Sequence, residues 1–426
     1  MKRLSVAAFT LLLCFAATPT RAQGCDPDAS QASGSIYRIC MPPPGSYNGN
    51  LVLWAHGFQD AIQPVHIPED QLCIGSTCLP QLINSLGFAF ATNSYSKTGL
   101  AIAQGQDDLV DLVNIFTAQK GRPNKVYLVG ASEGGIITAL SVEQHPRVGN
   151  SGVYNAGLAA CGPIGNFPFQ IDYFGDARAT FEYFFPGLIP GDPFHPTDML
   201  AQMWTAFYTD NVEPIVFNPA NQNALAQWVR VAGLPFDPAD PTTLRISVRD
   251  VLRYSVVNLN DASTTLGGFP FDNRFRLYFG SDNDLMLNML VKRVAADQPA
   301  IDAMNSPAYA TSGQLQRPLV TLHTTLDQQV PYFHEVLYLF KTLSTGSFLT
   351  RHFNITINRF AHCNFTADEA LGAFAVMLFY DNVLVAATGS SPLLTAAEQD
   401  AFESHMRAAG VPYRRSAAPL SFKLKN

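Results

Sequence analysis

The fold of this chain is decided by one stretch, Lys125-Val-Tyr-Leu-Val-Gly-Ala-Ser-Glu-Gly-Gly-Ile-Ile-Thr-Ala-Leu140. A β-branched and aliphatic run leads into Gly130-Ala-Ser-Glu-Gly134, and helix-forming residues follow at once. This order predicts a strand, a tight turn and a helix, with Ser132 at the apex of the turn. The small flanking residues let the backbone turn sharply and project the serine hydroxyl above a sheet, where it can act as a nucleophile. The alternative is an ordinary serine that caps the helix.

The composition is that of a well-buried globular protein. The chain has 426 residues, of which 47% are hydrophobic and 14% charged, which is enough for one large α/β domain with an insertion or for two domains. Residues 1–22 read as a secretory signal peptide, with basic Lys2 and Arg3, an apolar run and a small residue, Ala22, before the expected cut. The apolar run is too short to span a bilayer. We therefore expect a secreted or periplasmic protein without a membrane span.

The charge balance excludes several partners. Lys2, Arg3 and Arg21 leave with the signal peptide, so the 27 basic side chains become 24, against 34 acidic ones. Such a surface repels nucleic acids and anionic membranes. We expect no nucleic-acid partner, and the sequence does not indicate an oligomeric state.

Cysteine usage also fits an exported protein. Six cysteines follow the signal peptide, at positions 25, 40, 73, 78, 161 and 363, and six cysteines allow 15 connectivities. Proximity favours Cys25–Cys40 and Cys73–Cys78 as local loops, which leaves Cys161 with Cys363. No CxxC pair of the zinc-binding kind occurs, so we expect no metal site.

Strand and helix patterns alternate through the first 160 residues and again after residue 313, which predicts a mostly parallel sheet with helices on both faces. In between, residues 162–312 are rich in aromatic and helical patterns, including one long helix over 284–305. We interpret this block as a helical lid inserted into a core formed by residues 23–161 and 313–426. The alternative is an independent helical domain. Further on, the pattern predicts a strand over 348–357, a closing helix over 367–385 and an amphipathic helix over 395–409.

An activated serine needs a base within hydrogen-bond reach and a third group that orients the base. Asp327 follows the predicted strand 319–323, in a loop closed by Val330-Pro331, and His362 lies on the loop after the last strong strand. The order serine, acid, histidine matches that of a hydrolase sheet. The alternatives are an aspartate that begins a turn and a histidine with a structural role.

Rival residues exist for both roles. Asp282 and Asp284 are the other candidate acids, but no return to the sheet is evident near them. Four of the other histidines are predicted to lie within strands or helices, where side chains point at fixed faces rather than across a cleft; they are His323, His334, His352 and His405.

The tetrahedral intermediate needs two backbone N–H donors for its oxyanion. The first candidate is Glu133, the residue after the nucleophile, at the positive end of its helix. The second is Phe58, which follows His56-Gly57 at the end of an early buried strand. His56 and Tyr95, each at the end of an early strand, are candidate substrate-binding residues.

Taken together, residues 51–58, the Gly130–Gly134 turn, Asp327-x-x-Val-Pro331 and His362 resemble the α/β-hydrolase superfamily. The resemblance covers residues 35–161 and 313–385, and the helical block lies where that superfamily often carries its lid. It implies a Ser132–His362–Asp327 triad and no cofactor. Cys363 is also similar to the cysteine after the histidine in tannases and feruloyl esterases, which pairs with a cysteine before the serine. Here Ala131 occupies that position, so the same disulfide cannot form.

The leading hypothesis is therefore a secreted serine hydrolase of carboxylic esters, acting on a small-molecule or polymer-derived substrate with apolar or aromatic groups. A peptidase or amidase of the same fold is the second reading, because the triad does not choose between ester and amide. Lid carboxylates, such as Glu182, Asp198 and Asp210, would then hold a free amine. The third reading is a hydrolase-like binding protein without activity, which the complete triad disfavours.

Overall fold

A computed structural model describes residues 24–387 of this chain. The predicted signal peptide and the predicted helix over 395–409 lie outside the described residues. Three disulfides form within them, Cys25–Cys40, Cys73–Cys78 and Cys161–Cys363, and these are the pairs that the sequence favoured.

In the part of the chain that the structure describes, ten strands form two sheets. The strands are β1 (Ala29–Ser30), β2 (Ile36–Cys40), β3 (Leu51–Ala55), β4 (Cys73–Ile74), β5 (Thr77–Cys78), β6 (Ala89–Asn93), β7 (Val126–Ala131), β8 (Ala156–Ala160), β9 (Leu319–Leu326) and β10 (His352–Phe360). The large sheet has the order β1-β2-β6-β3-β7-β8-β9-β10, and β4 and β5 form a small separate hairpin. The six strands from β6 to β10 in this order are parallel to one another. Strand β2 is antiparallel to both of its neighbours, β1 and β6. The predicted mostly parallel sheet is confirmed.

Residues 24–387 form thirteen α-helices. They are α1 (Leu79–Ser85), α2 (Ile102–Lys120), α3 (Glu133–Gln144), α4 (Phe167–Phe184), α5 (Asp198–Phe207), α6 (Glu213–Val216), α7 (Gln222–Ala232), α8 (Thr242–Thr265), α9 (Asp284–Leu290), α10 (Gln298–Met304), α11 (Phe333–Ser344), α12 (Phe348–Arg351) and α13 (Ala367–Ala387). Within residues 24–387, no helix is long and apolar enough to cross a membrane.

The central strands are buried on both faces, as their continuous apolar character requires. On one face, α2 and α3 pack against the sheet through residues such as Leu109, Leu112 and Ile136. On the other face, α1 and α13 pack through residues such as Ile83 and Phe374. The catalytic candidates lie at the edge where the parallel strands end, and helices on both faces hold that edge in place.

Between β8 and β9 the described chain forms seven helices, α4 to α10, and adds no strand to the sheet. Helices α4, α5, α7 and α8 enclose a hydrophobic cluster of their own around Trp204 and Trp228. The lid role of residues 162–312 stays a prediction and is taken up below.

Two predicted elements were wrong in detail. The helix expected over 284–305 is two helices, α9 and α10. Residues 291–297 between them bond to a neighbouring loop instead: the Val294 N–H donates to Asn273 Oδ1, and the Arg293 side chain donates to the Asn273 carbonyl oxygen. The strand expected over 348–357 begins later, because the short α12 precedes β10 and pairing with β9 starts at His352.

Candidate active site

Ser132 lies on the turn between β7 and α3. Its φ of 58° is in the region that residues with a side chain rarely adopt, and its N–H donates to the Ala160 carbonyl at 2.9 Å. Gly130 and Gly134 are required by close approach, because a Cβ would lie 2.2 Å from the Gly134 carbonyl oxygen in the first case and 1.9 Å from the Ala55 carbonyl oxygen in the second. The turn is therefore the strained elbow that the sequence predicted.

Asp327 follows directly after β9 and is completely buried. Its Oδ1 accepts hydrogen bonds from the backbone N–H groups of Gln329 (2.9 Å) and Val330 (2.8 Å), which close a short turn and fix the carboxylate. Burial on its own would raise the pKa of Asp327, but the imidazoles of His362 and His323 outweigh it and hold that pKa well below the usual range. Asp327 is thus an ionised acceptor.

His362 joins the acid to the serine. Its Nδ1 lies 2.7 Å from Asp327 Oδ2, and its Nε2 lies 2.8 Å from Ser132 Oγ. Because an ionised carboxylate can only accept, Nδ1 carries the proton and Nε2 accepts from the serine hydroxyl. The backbone N–H of His362 donates to Gln328 Oε1 at 3.0 Å, which holds the loop. The structure therefore brings together the three residues that the sequence singled out.

A second histidine lies behind the acid. His323, on β9, is fully buried; its Nε2 lies 2.9 Å from the Val330 carbonyl oxygen and 3.4 Å from Asp327 Oδ2, and its Nδ1 lies 3.1 Å from Glu335 Oε1. Burial disfavours a charged imidazole, but the hydrogen bonds to the two carboxylates outweigh it and raise the pKa of His323 to about 10. His323 is consequently a buried imidazolium between two acids. Sequence reasoning set it aside as a strand residue.

Replacing His323 by glutamine is expected to lower the free energy of unfolding by about 3–5 kcal/mol at pH 5.5, because it leaves two buried carboxylates without their cation. The folded pKa lies above the unfolded one, so the stabilisation is fully present below about pH 6.5 and is lost as the pH rises through about 10. The difference between wild type and variant in urea unfolding should therefore shrink from pH 5.5 to pH 9.

His334→Gln is the matched control, because His334 is also buried but its pKa is lowered by that burial. Below about pH 6.5 His334 takes up a proton in the unfolded chain but stays neutral in the folded one, so it lowers the free energy of unfolding of the wild type there. The two variants should thus show opposite pH trends, and parallel trends would contradict the imidazolium assignment of His323.

The loop after β3 lies against the serine turn. Gly57 N–H donates to Gln71 Oε1 at 2.6 Å, and the Gln71 amide lies 3.4 Å from the Phe58 carbonyl oxygen. Gln71 therefore braces this loop and occupies the Gly57 donor, which fits the choice of the Phe58 N–H as an oxyanion donor. Glu133 is the first residue of α3, where a helix has no internal acceptor for its N–H. No local signal in the sequence pointed to Gln71.

His56 and Tyr95 form a buried pair beneath this loop. Their rings stack with centroids 3.9 Å apart, and the Tyr95 hydroxyl donates to the His56 carbonyl oxygen at 2.9 Å. His56 is 1% exposed and Tyr95 is fully buried, and burial lowers the pKa of His56 to about 4. Neither residue lines the cavities described below, and neither enters the proposed function.

The rival residues other than His323 have different partners. Asp282 pairs with Arg230, and Asp284 accepts bonds from Ser281 near the start of α9. His334 bonds to Gln170, and His352 bonds to Thr342. His405 lies outside the described residues.

Two cavities open beside Ser132. The larger has a volume of about 330 Å³ and extends between one face of the sheet and helices α1 and α13. Its walls are mainly apolar and include Val52, Phe90, Leu158, Ile83, Leu371 and Phe374. The smaller has a volume of about 70 Å³ and is lined by parts of α3, α4 and α8.

In the described part of the chain, one group of side chains is close enough to hold a metal ion: Cys161, His362 and Cys363. The two cysteines are joined in a disulfide, so they offer no thiolate. His362 already bonds to Asp327 and Ser132.

No protein-family model and no curated protein matches this sequence. Solved structures that resemble it include an acylaminoacyl peptidase of Pyrococcus horikoshii (10% identity, 83% of this chain and 40% of that chain, TM-score 0.40). Others are an arylesterase (12%, 84% and 85%, 0.41) and feruloyl esterase B of Aspergillus oryzae (15%, 79% and 72%, 0.38). The chain thus spans less than half the length of the peptidase.

Identity and TM-score are too low in these comparisons to carry an argument about activity. The fold rests on this chain's own features, which are the parallel strand order, the serine turn between β7 and α3, and the acid and histidine that follow later strands. By these features the chain has an α/β-hydrolase fold.

Proposed function

We propose that this protein is a secreted serine hydrolase that cleaves carboxylic esters through an acyl-enzyme on Ser132. The observation that carries the proposal is the unbroken hydrogen-bond chain from Ser132 Oγ through His362 to Asp327, with distances of 2.8 and 2.7 Å. Its serine lies on a strained elbow, beside a cavity that can hold a substrate.

In the proposed reaction, Ser132 Oγ attacks the ester carbonyl carbon while His362 Nε2 takes its proton. Asp327 stays ionised, keeps the proton of His362 on Nδ1 and stabilises the imidazolium that forms. His362 then gives its proton to the leaving alkoxide oxygen as the ester C–O bond breaks. A water molecule, activated by the same histidine, releases the acid and restores the serine.

The negative charge on the tetrahedral intermediate needs donors that are already in place. We propose the backbone N–H groups of Phe58 and Glu133 for this role. The N-terminus of α3 adds its positive dipole end at the same point.

The larger cavity supports an apolar substrate group. Its volume of about 330 Å³ and its mainly apolar walls suit an apolar acyl group. We propose that the acyl part of the ester occupies this cavity, that residues 162–312 act as a lid over the site, and that the protein is exported. Three disulfides support export, because they persist in oxidising compartments.

The amide alternative lacks support from the lid acids. Glu182 bonds to Arg178 and to the Gly187 N–H, and Asp198 accepts from Asn260. Neither of them nor Asp210 lines a cavity beside Ser132.

A substrate panel tests the proposal. Nitrophenyl esters of straight-chain acids should be hydrolysed, with kcat/KM rising with acyl chain length and then levelling once the chain exceeds the cavity. Aminoacyl nitroanilides should react far more slowly. A fluorophosphonate should label one serine per chain, and peptide mass analysis should locate it at Ser132.

Heat-unfolded protein is the control for labelling, because only the assembled triad activates the serine. Turnover of anilides alone would make the protein a peptidase or amidase. Absence of turnover and of labelling would overturn the proposal in favour of a binding protein.

A further inference from the structure

Asp327 meets two histidines at the same oxygen atom. Its Oδ2 lies 2.7 Å from His362 Nδ1 and 3.4 Å from His323 Nε2, so these two ring nitrogens are at most about 6 Å apart, the sum of the two distances. Its Oδ1 accepts the N–H groups of Gln329 and Val330. An ionised carboxylate has about four acceptor positions, and here all of them are filled. The hydrogen-bond chain of the triad therefore continues behind its acid.

The contacts of His323 are those of an imidazolium. Its Nε2 faces the Val330 carbonyl oxygen at 2.9 Å as well as Asp327, and its Nδ1 faces Glu335 Oε1 at 3.1 Å. A carbonyl oxygen and an ionised carboxylate can only accept, so each ring nitrogen must carry a hydrogen atom. This assignment follows from the geometry of the partners.

Glu335 is fixed in place on α11. It is 2% exposed, and its Oε2 accepts the Thr321 hydroxyl at 2.7 Å and the Asn354 amide at 2.6 Å. Two donors on one oxygen and an imidazole on the other suit an ionised carboxylate. Glu335 thus neutralises His323 and orients its ring so that Nε2 reaches Asp327. We refer to these two side chains as the His323–Glu335 pair.

The other ionisable groups around the His323–Glu335 pair do not replace its charges. Four of them are neutral near pH 7, because burial lowers the pKa of the histidines and raises the pKa of the tyrosines; they are His334, His352, Tyr173 and Tyr254. Three more bond to partners outside the pair, namely Tyr332 to Thr356, Lys341 to Thr311 and Asp250 to Arg249.

We propose that His323 and Glu335 are positioning residues for the reaction at Ser132. In this role the His323 cation holds Asp327 Oδ2 toward His362 and keeps ester hydrolysis active at a lower pH than the three triad residues alone would allow. This inference rests on the proposed function, and it adds no chemical step, since the proton of Ser132 still passes to His362 Nε2.

The physical reason is the charge that surrounds His362. Activity falls in acid because a protonated His362 cannot act as the base. The negative charge of Asp327 favours uptake of that proton, whereas a cation about 6 Å away opposes it. In a medium with an effective dielectric constant of about 20, and with Glu335 offsetting part of the effect, the opposition amounts to roughly one pH unit.

The test measures two rates from about pH 5 to pH 9, which are labelling of Ser132 by a fluorophosphonate and kcat/KM for a nitrophenyl ester. In His323→Gln the pH at which each rate is half of its maximum should rise by about one unit. In Glu335→Gln it should move the other way, because this change removes a negative charge and leaves the cation. A structural role alone would lower the rates by the same factor at every pH.

His352→Gln is the matched control. His352 is buried beside the same group of side chains, with its Nε2 3.3 Å from Thr321 Oγ1, but burial lowers its pKa and it carries no charge. Its replacement disturbs the packing and removes no cation, so the half-maximal pH should stay at the wild-type value. Circular dichroism at each pH restricts the comparison to folded protein.

A nuclear magnetic resonance measurement tests the wild type directly. In protein with isotope-labelled histidine, both ring nitrogens of His323 should carry hydrogen at pH 8, where an exposed histidine is neutral. The signal is assigned by its loss in His323→Gln. A neutral His323 at pH 7 would overturn the proposal.

The outcomes also distinguish this inference from the proposed function. A half-maximal pH that does not move in His323→Gln, or that moves in the same direction in Glu335→Gln, overturns the role of the His323–Glu335 pair and leaves the esterase proposal standing. Labelling of Ser132 without turnover of any ester overturns the esterase proposal, while the pH dependence of labelling still decides the role of the pair. If the wild type is neither labelled nor active, both proposals fail.

Discussion

Replacing Ser132 by alanine is expected to lower kcat for ester hydrolysis by about 10⁵- to 10⁶-fold, the loss typical of a nucleophile that works within a triad. The change removes one oxygen atom, which lies 2.8 Å from His362 Nε2, and leaves that histidine without the hydroxyl whose proton it takes as the base. Steady-state kinetics on a nitrophenyl ester of medium chain length measure the effect. Circular dichroism establishes that the variant is folded.

Non-additivity gives this prediction a sharper form. Because the three residues act as one unit, Ser132→Ala combined with His362→Ala should be no slower than Ser132→Ala alone. Ser141→Ala is the matched control, since Ser141 is a buried serine nine residues further along, on α3, and lies on neither cavity wall. A Ser132→Ala variant that kept a tenth of the wild-type kcat would remove Ser132 from the mechanism.

The elbow could be predicted from sequence because its causes are local. The positions of Gly130 and Gly134 are set by contacts of the turn with its own helix and with the adjacent strand, and these contacts tolerate no side chain. Asp327 and His362 could be predicted for a related reason. Both follow strands of a parallel sheet, and the carboxyl ends of such strands meet at one edge.

The support of the acid could not be predicted in the same way. His323 approaches Asp327 because β9 runs to Leu326, three residues beyond the predicted end, and because the Asp327 turn then folds back over the strand. Glu335 reaches His323 from α11, on the other side of the loop. Neither contact could be predicted from hydrophobic periodicity, because every position from Leu319 to Thr324 is buried and the strand shows no alternation.

No helix with bounds was predicted over the residues of α4, because this stretch is rich in aromatic residues and contains a proline. The proline falls within the first turn, where it costs no hydrogen bond, and Asn166 caps the helix by accepting the Phe169 N–H. The residues that line the cavities could not be predicted from the sequence for a different reason. Asn258 and Glu133 are 125 positions apart, so only the packing of α8 against the serine turn brings them to one cavity.

Removing the Cys161–Cys363 disulfide is the second change with a large expected effect. The link closes a loop of 202 residues that contains all the helices from α4 to α10 and the Asp327 turn. Loss of a cross-link of this span should lower the free energy of unfolding by about 5 kcal/mol, because the unfolded chain regains the entropy that the link removes. Urea unfolding of the Cys161→Ser, Cys363→Ser double variant at 25 °C measures the change.

The same variant should lose activity as well as stability. Cys363 follows His362 directly, and its Sγ lies 3.5 Å from His362 Nε2, so the link fixes the histidine loop against the end of β8. The Cys73→Ser, Cys78→Ser double variant is the matched control. Its loop of 5 residues predicts a loss of about 2 kcal/mol. Equal losses of stability and of kcat in the two variants would mean that neither loop length nor the histidine loop explains the effect. A larger loss of stability together with a lower kcat in the Cys161→Ser, Cys363→Ser variant would show that this link stabilises the fold and positions His362.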